Sequence, residues 1–173
     1  MVSFFSGVPL SQSSLKAENA DLKLVVVDMG IKSYPMHHQD LIYAMKNAPL
    51  EDFSARSEAN NYLQKLIPEE GVRQFLLKNL FWIEKGKLAW RMNLSILEQS
   101  MSNILEALPD REVFNSTLFV RGSDSNYILE EDLSAIEDLF LDSEFISIEG
   151  AGHWVHAEAA DVFIERTLSF LLR

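Results

Sequence analysis

Two histidines stand close together near the end of the chain, in Gly150-Ala151-Gly152-His153-Trp154-Val155-His156-Ala157-Glu158. An imidazole can carry a proton in either direction near neutral pH, and a glycine-bounded turn can aim it away from the backbone. A histidine of this kind does useful chemistry when a carboxylate orients one ring nitrogen and leaves the other as a base. One carboxylate invites that role from a distance. Asp28 closes the apolar run Leu22–Asp28, LKLVVVD, and a second polar cluster, Gly122-Ser123-Asp124-Ser125, closes the run that begins at Ser116. Each group also has a plainer reading. An aspartate at a strand end can cap a turn or a helix, glycines can serve only a tight turn, and His156 can simply pack. His37-His38 raises the question of a metal, but adjacent residues on a helix point in different directions and no carboxylate stands at matching spacing, so no metal site is expected.

The elements that must position these groups read as a parallel α/β arrangement. The runs 22–30, 116–125 and 144–150 are short, apolar and ended by glycine or polar residues, as strands buried on both faces are. Amphipathic spacing predicts helices over 130–140 and 160–173, which alternate with the last two strands. In an open α/β sheet the carboxyl ends of the strands gather the functional groups. Asp28, the Gly-Ser-Asp-Ser cluster and His153 all fall there. The middle, 33–113, reads as a mostly helical insert, with helices over 40–48, 55–67, 69–80 and 93–108 and a hairpin over 81–92. The domain reading is therefore 1–32 as a stub with the first core strand, 33–113 as the insert, and 114–173 as the rest of the α/β core. The first twenty residues carry no clear pattern, and Pro9 and the serines argue against a long helix there.

Composition limits the function classes. The chain has 173 residues, 47% of them hydrophobic, enough for one packed domain of ordinary size. A net charge of −11, without any basic run, argues against a nucleic-acid or anionic-membrane partner. There is no cysteine, so disulfides, thiolate metal sites and a thiol nucleophile are excluded. MVSFFSGVPL lacks a basic n-region and its apolar run is broken, so no signal peptide is read there; with no membrane-length run, the cytoplasm is the expected location.

Four segments in order narrow the reading. VVVDMGIKSYPMHH, EEGVRQFLLKNL, LFVRGSDSNYI and GAGHWVHAE together resemble the α/β-hydrolase superfamily, in particular the small bacterial esterase group related to the human α/β-hydrolase domain protein 11. The resemblance runs from about Asp21 to the C-terminus. It implies the C-terminal part of an α/β-hydrolase fold, about three parallel strands with flanking helices, plus a helical lid. It implies that His153 is the catalytic histidine, that Asp28 is the triad acid, and that Ser125 occupies the superfamily's more usual acid position and assists the triad. Asp124, next door, is the alternative acid. The insert would be the lid over an acyl pocket, shaped by Phe75, Leu76, Phe81 and Trp82, each of which could equally hold the lid together. No metal, nucleotide or other cofactor is implied.

One departure is large. The family's nucleophile sits in a Gly-x-Ser-x-Gly turn, and no such pattern occurs in this sequence. The oxyanion-hole segment and the strands before the turn are also expected to be missing. Two functions follow. In the first, the chain is part of a serine esterase acting on carboxylic esters or thioesters, inactive until an N-terminal half completes it. In the second, it is a non-catalytic remnant that binds an acyl ligand or a protein partner. Ser3, Ser6 and Ser125 are weak substitutes for the nucleophile, because none has the strained turn or oxyanion donors. Without the nucleophile's strand beside it, strand 22–28 is expected to be an exposed apolar edge that invites self-association.

Overall fold

The computed structural model describes residues 3–5, 22–36 and 38–173, the first group as backbone only. Along the chain come strands β1 (Ser3–Phe5) and β2 (Leu24–Val27), then helices α1 (Gln39–Lys46), α2 (Arg56–Gln64) and α3 (Glu70–Leu77). A hairpin of β3 (Leu80–Glu84) and β4 (Lys87–Trp90) and helix α4 (Leu94–Ile104) follow. Strand β5 (Thr117–Gly122), helix α5 (Leu133–Leu139), strand β6 (Ser143–Ile148), the single turn α6 (Val155–Glu158) and helix α7 (Ala160–Leu171) complete the chain. Two units form, one of Tyr34–Leu105 and one of Met1–Ser33 with Glu106–Arg173.

The helical insert is therefore shorter than the 33–113 read from sequence. Residues 106–113 belong to the α/β unit because their backbone is tied there: Leu108 N–H donates to the Ile31 carbonyl at 2.9 Å, and Val113 N–H to that of Leu139 at 2.7 Å. The predicted helix over 93–108 stops at Ile104 for the same reason.

The α/β unit holds a parallel sheet of order β1-β2-β5-β6. Side chains alternate across a strand, and here both faces are apolar. Val25, Val27, Leu118 and Val120 pack on one face with Phe163 and Phe170 of α7. Leu24 and Phe119 pack on the other with Ile136 and Leu139 of α5 and with Phe140. Phe119 meets Phe140 edge-on at 5.0 Å between ring centroids and stacks on Phe145 at 5.3 Å. Burying each such side chain contributes about 1.5–3 kcal/mol, so the continuous apolar runs of β2 and β5 are what fix the sheet's centre.

Among the described residues the sheet has four strands, the three read from sequence and β1 beside them. One expectation is corrected here: strand 22–28 is not an edge. β1 pairs with β2 in register Ser3↔Leu24, Phe4↔Val25, Phe5↔Val26. Ser-Phe-Phe is too short to show a period, yet it satisfies backbone groups of β2 that would otherwise invite another chain. Self-association through an unpaired 22–28 edge therefore falls; among the described residues the outer strands are β1 and β6. Ser6 lies outside the described residues, as does the side chain of Ser3.

The helical unit has its own core, built from Ala44, Met45, Ala59, Leu63, Ile67, Leu76, Leu77, Leu80, Leu88 and Leu94. Its hairpin turns at Gly86, whose φ of 81° suits glycine. Buried Arg73 donates to the carbonyls of Ile67 and Pro68 at 2.9 and 2.6 Å and so closes the loop before α3. The Trp90 indole N–H donates to the Met45 carbonyl at 2.9 Å and ties the hairpin to α1.

Candidate active site

At the end of β2 the chain turns sharply. Asp28 keeps the ladder through its N–H, which donates to the Val120 carbonyl at 2.7 Å, but its own φ is 45°. Aspartate is among the few residues that enter this left-handed region at modest cost. Its carboxylate is fully buried at 0% exposure. A buried carboxylate is tolerable only when its oxygens accept hydrogen bonds. Oδ1 accepts from the Gly122 N–H at 3.2 Å, and Oδ2 accepts from the Ser125 hydroxyl and lies 2.8 Å from His153 Nδ1. That pairing assigns the proton to Nδ1 and leaves Nε2 with its lone pair. The imidazole is 41% exposed, so a buried acid holds a ring that reaches solvent.

The loop that delivers His153 is tied on both sides of the histidine. Gly150, with φ at 69°, donates its N–H to the Ser123 hydroxyl at 2.8 Å. The Ala151 carbonyl accepts the Asp124 N–H at 3.0 Å. Gly152 and Trp154, on either side of the histidine, both donate to the Glu158 carboxylate, at 2.6 and 3.3 Å. Gly122 lets this loop press against the end of β5. A Cβ there would stand 2.2 Å from the Ala151 carbonyl oxygen and 2.3 Å from that of Gly152. The Tyr127 ring stacks on the imidazole with centroids 3.9 Å apart and planes 17° from parallel. Burial, and then the negative charge of Asp28, push the Tyr127 phenol above its ordinary range.

Asp28, Ser125 and His153 thus come together. Asp124 does not join them: it is exposed, and its carboxylate accepts the Ser123 hydroxyl at 3.0 Å. Ser125 is buried with its hydroxyl given to Asp28, which leaves it no exposure as a nucleophile. His156 lies on α6, exposed, its ring 6.3 Å from that of Phe163. In the helical unit, Leu76 belongs to the core, Phe81 is half-buried with the Arg91 guanidinium 5.5 Å over its ring, and Phe75 and Trp82 are 49% and 40% exposed. Among the described residues no group of three His, Asp or Glu could hold a metal; His37 lies outside them. The roles of Gly122, Tyr127 and Glu158 escaped the sequence reading. All three stand inside the quoted segments, but nothing in their spacing says that they meet the loop of His153.

No protein-family model matches this chain. Curated relatives do. The mouse sn-1-specific diacylglycerol lipase ABHD11 is 35% identical over 156 residues, which is 86% of this chain and 50% of that protein. Esterase YbfF of Escherichia coli is 32% identical over 165 residues, 94% of this chain and 62% of that protein. The solved structure of a marine microorganism esterase superposes with a TM-score of 0.81 at 33% identity, covering 86% of this chain and 60% of that one. The chain belongs to the α/β-hydrolase superfamily. Within it, the chain is similar to the esterase group that includes these relatives. This α/β-hydrolase chain spans about half the length of the curated relatives it matches. A fold-level likeness extends further, for instance to an E-2-(acetamidomethylene)succinate hydrolase with a TM-score of 0.60 at 18% identity.

Proposed function

We propose that this chain carries the base and the orienting acid of a serine-esterase site, and that the nucleophilic serine must come from a segment it does not contain. The observation that carries the reading is the fully buried Asp28 carboxylate 2.8 Å from Nδ1 of a partly exposed His153, in a sequence without Gly-x-Ser-x-Gly. In the completed site, Nε2 of His153 takes the proton of the attacking serine, and Asp28 stabilises the imidazolium that forms. The serine oxygen bonds to the ester carbon, and the carbonyl electrons move to oxygen. Collapse then expels the alcohol or thiol, which receives the proton from Nε2. Water repeats the cycle on the acyl-enzyme and releases the acid. Ser125 holds Asp28 in place throughout.

Carboxylic esters or thioesters are the substrate class of this reading. The unit Tyr34–Leu105 is its lid, in which exposed Phe75 and Trp82 are the side chains offered to an acyl chain. Loss of a triad member costs orders of magnitude in rate, so the chain alone is expected to be silent. A fluorophosphonate probe, which reacts with activated serines, tests this. The chain alone should stay unlabelled, and a mixture with the N-terminal half of the E. coli relative should be labelled on that half only. Labelling of this chain by itself would overturn the proposal. Saturable binding of an acyl ligand with no labelling in the mixture would favour a non-catalytic binding protein.

A further inference from the structure

Glu158 stands at the end of the one-turn helix α6, exposed to solvent, and its carboxylate reaches back past that helix. Oε1 accepts the Trp154 N–H at 3.3 Å and Oε2 accepts the Gly152 N–H at 2.6 Å. A side chain that merely caps a helix takes the N–H of the residue just before it, here Trp154. The stronger of these two bonds goes beyond the cap, to the far side of His153. The two peptides that set the direction of the His153 Cα–Cβ bond are therefore held by one carboxylate. Charge-assisted bonds of this kind are the strong class. The neighbouring ties, Gly150 to Ser123 and Ala151 to Asp124, lie before Gly152, whereas the Glu158 bonds fall on both flanks of the histidine.

We propose that Glu158 is a positioning residue for His153: its carboxylate clamps the backbone on both sides of the histidine and so keeps Nδ1 on Asp28. The catalytic consequence rests on the esterase reading above, but the clamp is a property of this chain and can be read without turnover. The glutamine variant is informative, because an amide presents one acceptor oxygen and one NH2 donor to two N–H groups. It preserves side-chain volume and can satisfy only one flank.

The experiment is NMR on the chain with 15N-labelled histidine and backbone. In the wild type, His153 should show a downfield, slowly exchanging Nδ1 proton, and the Gly152 and Trp154 amides should be protected. In Glu158→Ala the Nδ1 proton should broaden away, and both amides should exchange about tenfold faster or more. Glu158→Gln should lose protection at one of the two amides and retain it at the other. Glu165→Ala, an exposed site on α7, should leave all three signals unchanged. The proposal is overturned if Glu158→Ala and Glu158→Gln both keep the Nδ1 proton and amide protection of the wild type. It is overturned equally if Glu158→Ala unfolds while Glu158→Gln matches the wild type at both amides. If the wild type itself shows no hydrogen-bonded Nδ1 proton, the Asp28–His153 pairing fails, and with it the esterase reading.

Discussion

Replacing Gly122 with alanine drives a methyl group into the loop that carries His153. The new Cβ would lie 2.2 and 2.3 Å from two carbonyl oxygens, and 2.8 Å from the Ala151 carbonyl carbon. All three atoms are backbone, so no side chain can swing aside. Reaching ordinary contact requires the Ala151–Gly152 segment to retreat by about 1 Å. Carried through to the imidazole, that stretches the 2.8 Å contact between Nδ1 and Asp28 beyond hydrogen-bonding reach. Overpacking of this kind costs ~1–3 kcal/mol, and a lost hydrogen bond to a charged group adds ~1.5–3 kcal/mol. At ~2–4 °C per kcal/mol for a chain of this size, the melting temperature should fall by roughly 10 °C. Gly150→Ala is the control. Its φ of 69° is strained for alanine, but no atom lies within 4 Å of the added Cβ. Backbone strain alone costs ~1–2 kcal/mol, a drop of about 3–5 °C. Thermal unfolding followed by circular dichroism, with the His153 Nδ1 proton as a second readout, decides the matter. Equal melting of the two variants, or a retained Nδ1 proton in Gly122→Ala, would refute the close approach of loop and strand.

Other perturbations follow from the same geometry. Ser125→Ala removes a donor from the buried Asp28 carboxylate and should destabilise the chain by ~1.5–3 kcal/mol in urea titration; a change below measurement error would mean that Ser125 does not hold the acid. The Tyr127 phenol, raised mainly by burial and then by Asp28, binds its proton more tightly folded than unfolded. Its contribution to stability is complete below about pH 10 and is lost as pH rises through the raised folded value. Absorbance of tyrosinate should therefore show one late-titrating phenol that disappears in Tyr127→Phe and moves only partway down in Asp28→Asn. Asp132 works in the opposite direction. Burial pushes its carboxyl up, but the Lys32 hydrogen bond, the Leu129 N–H and the Lys32 charge together hold it below the ordinary range. Lys32→Met should cost ~1 kcal/mol at neutral pH, a difference that vanishes as pH falls through the folded value of Asp132.

The sequence made the core elements legible where a period or a run was long enough to read. LKLVVVD and STLFVRG hold the continuous apolar stretches Leu-Val-Val-Val and Leu-Phe-Val that both faces of a parallel sheet take up, and Gly86 and the flanking apolar residues announce the hairpin. β1 could not be read, because three residues hold no periodicity and the strand exists through its partner. The pairing of Asp28 with His153 spans 125 residues; spacing alone left it open beside Asp124, and only the left-handed turn at Asp28 points that carboxylate toward the loop. The roles of Gly122 and Glu158 were invisible for a similar reason. Their roles are a missing clash and a backward reach across a loop, neither of which leaves a local pattern.

The most direct test of the central claim is hydrolysis of a short-chain p-nitrophenyl ester, measured on the chain alone and on the chain mixed with the N-terminal half of the E. coli relative. Each is run beside His153→Ala. The account predicts no His153-dependent turnover from the chain alone, and turnover in the mixture that His153→Ala abolishes. Turnover by the isolated chain that His153→Ala removes would contradict it, because a serine within these 173 residues would then be the nucleophile.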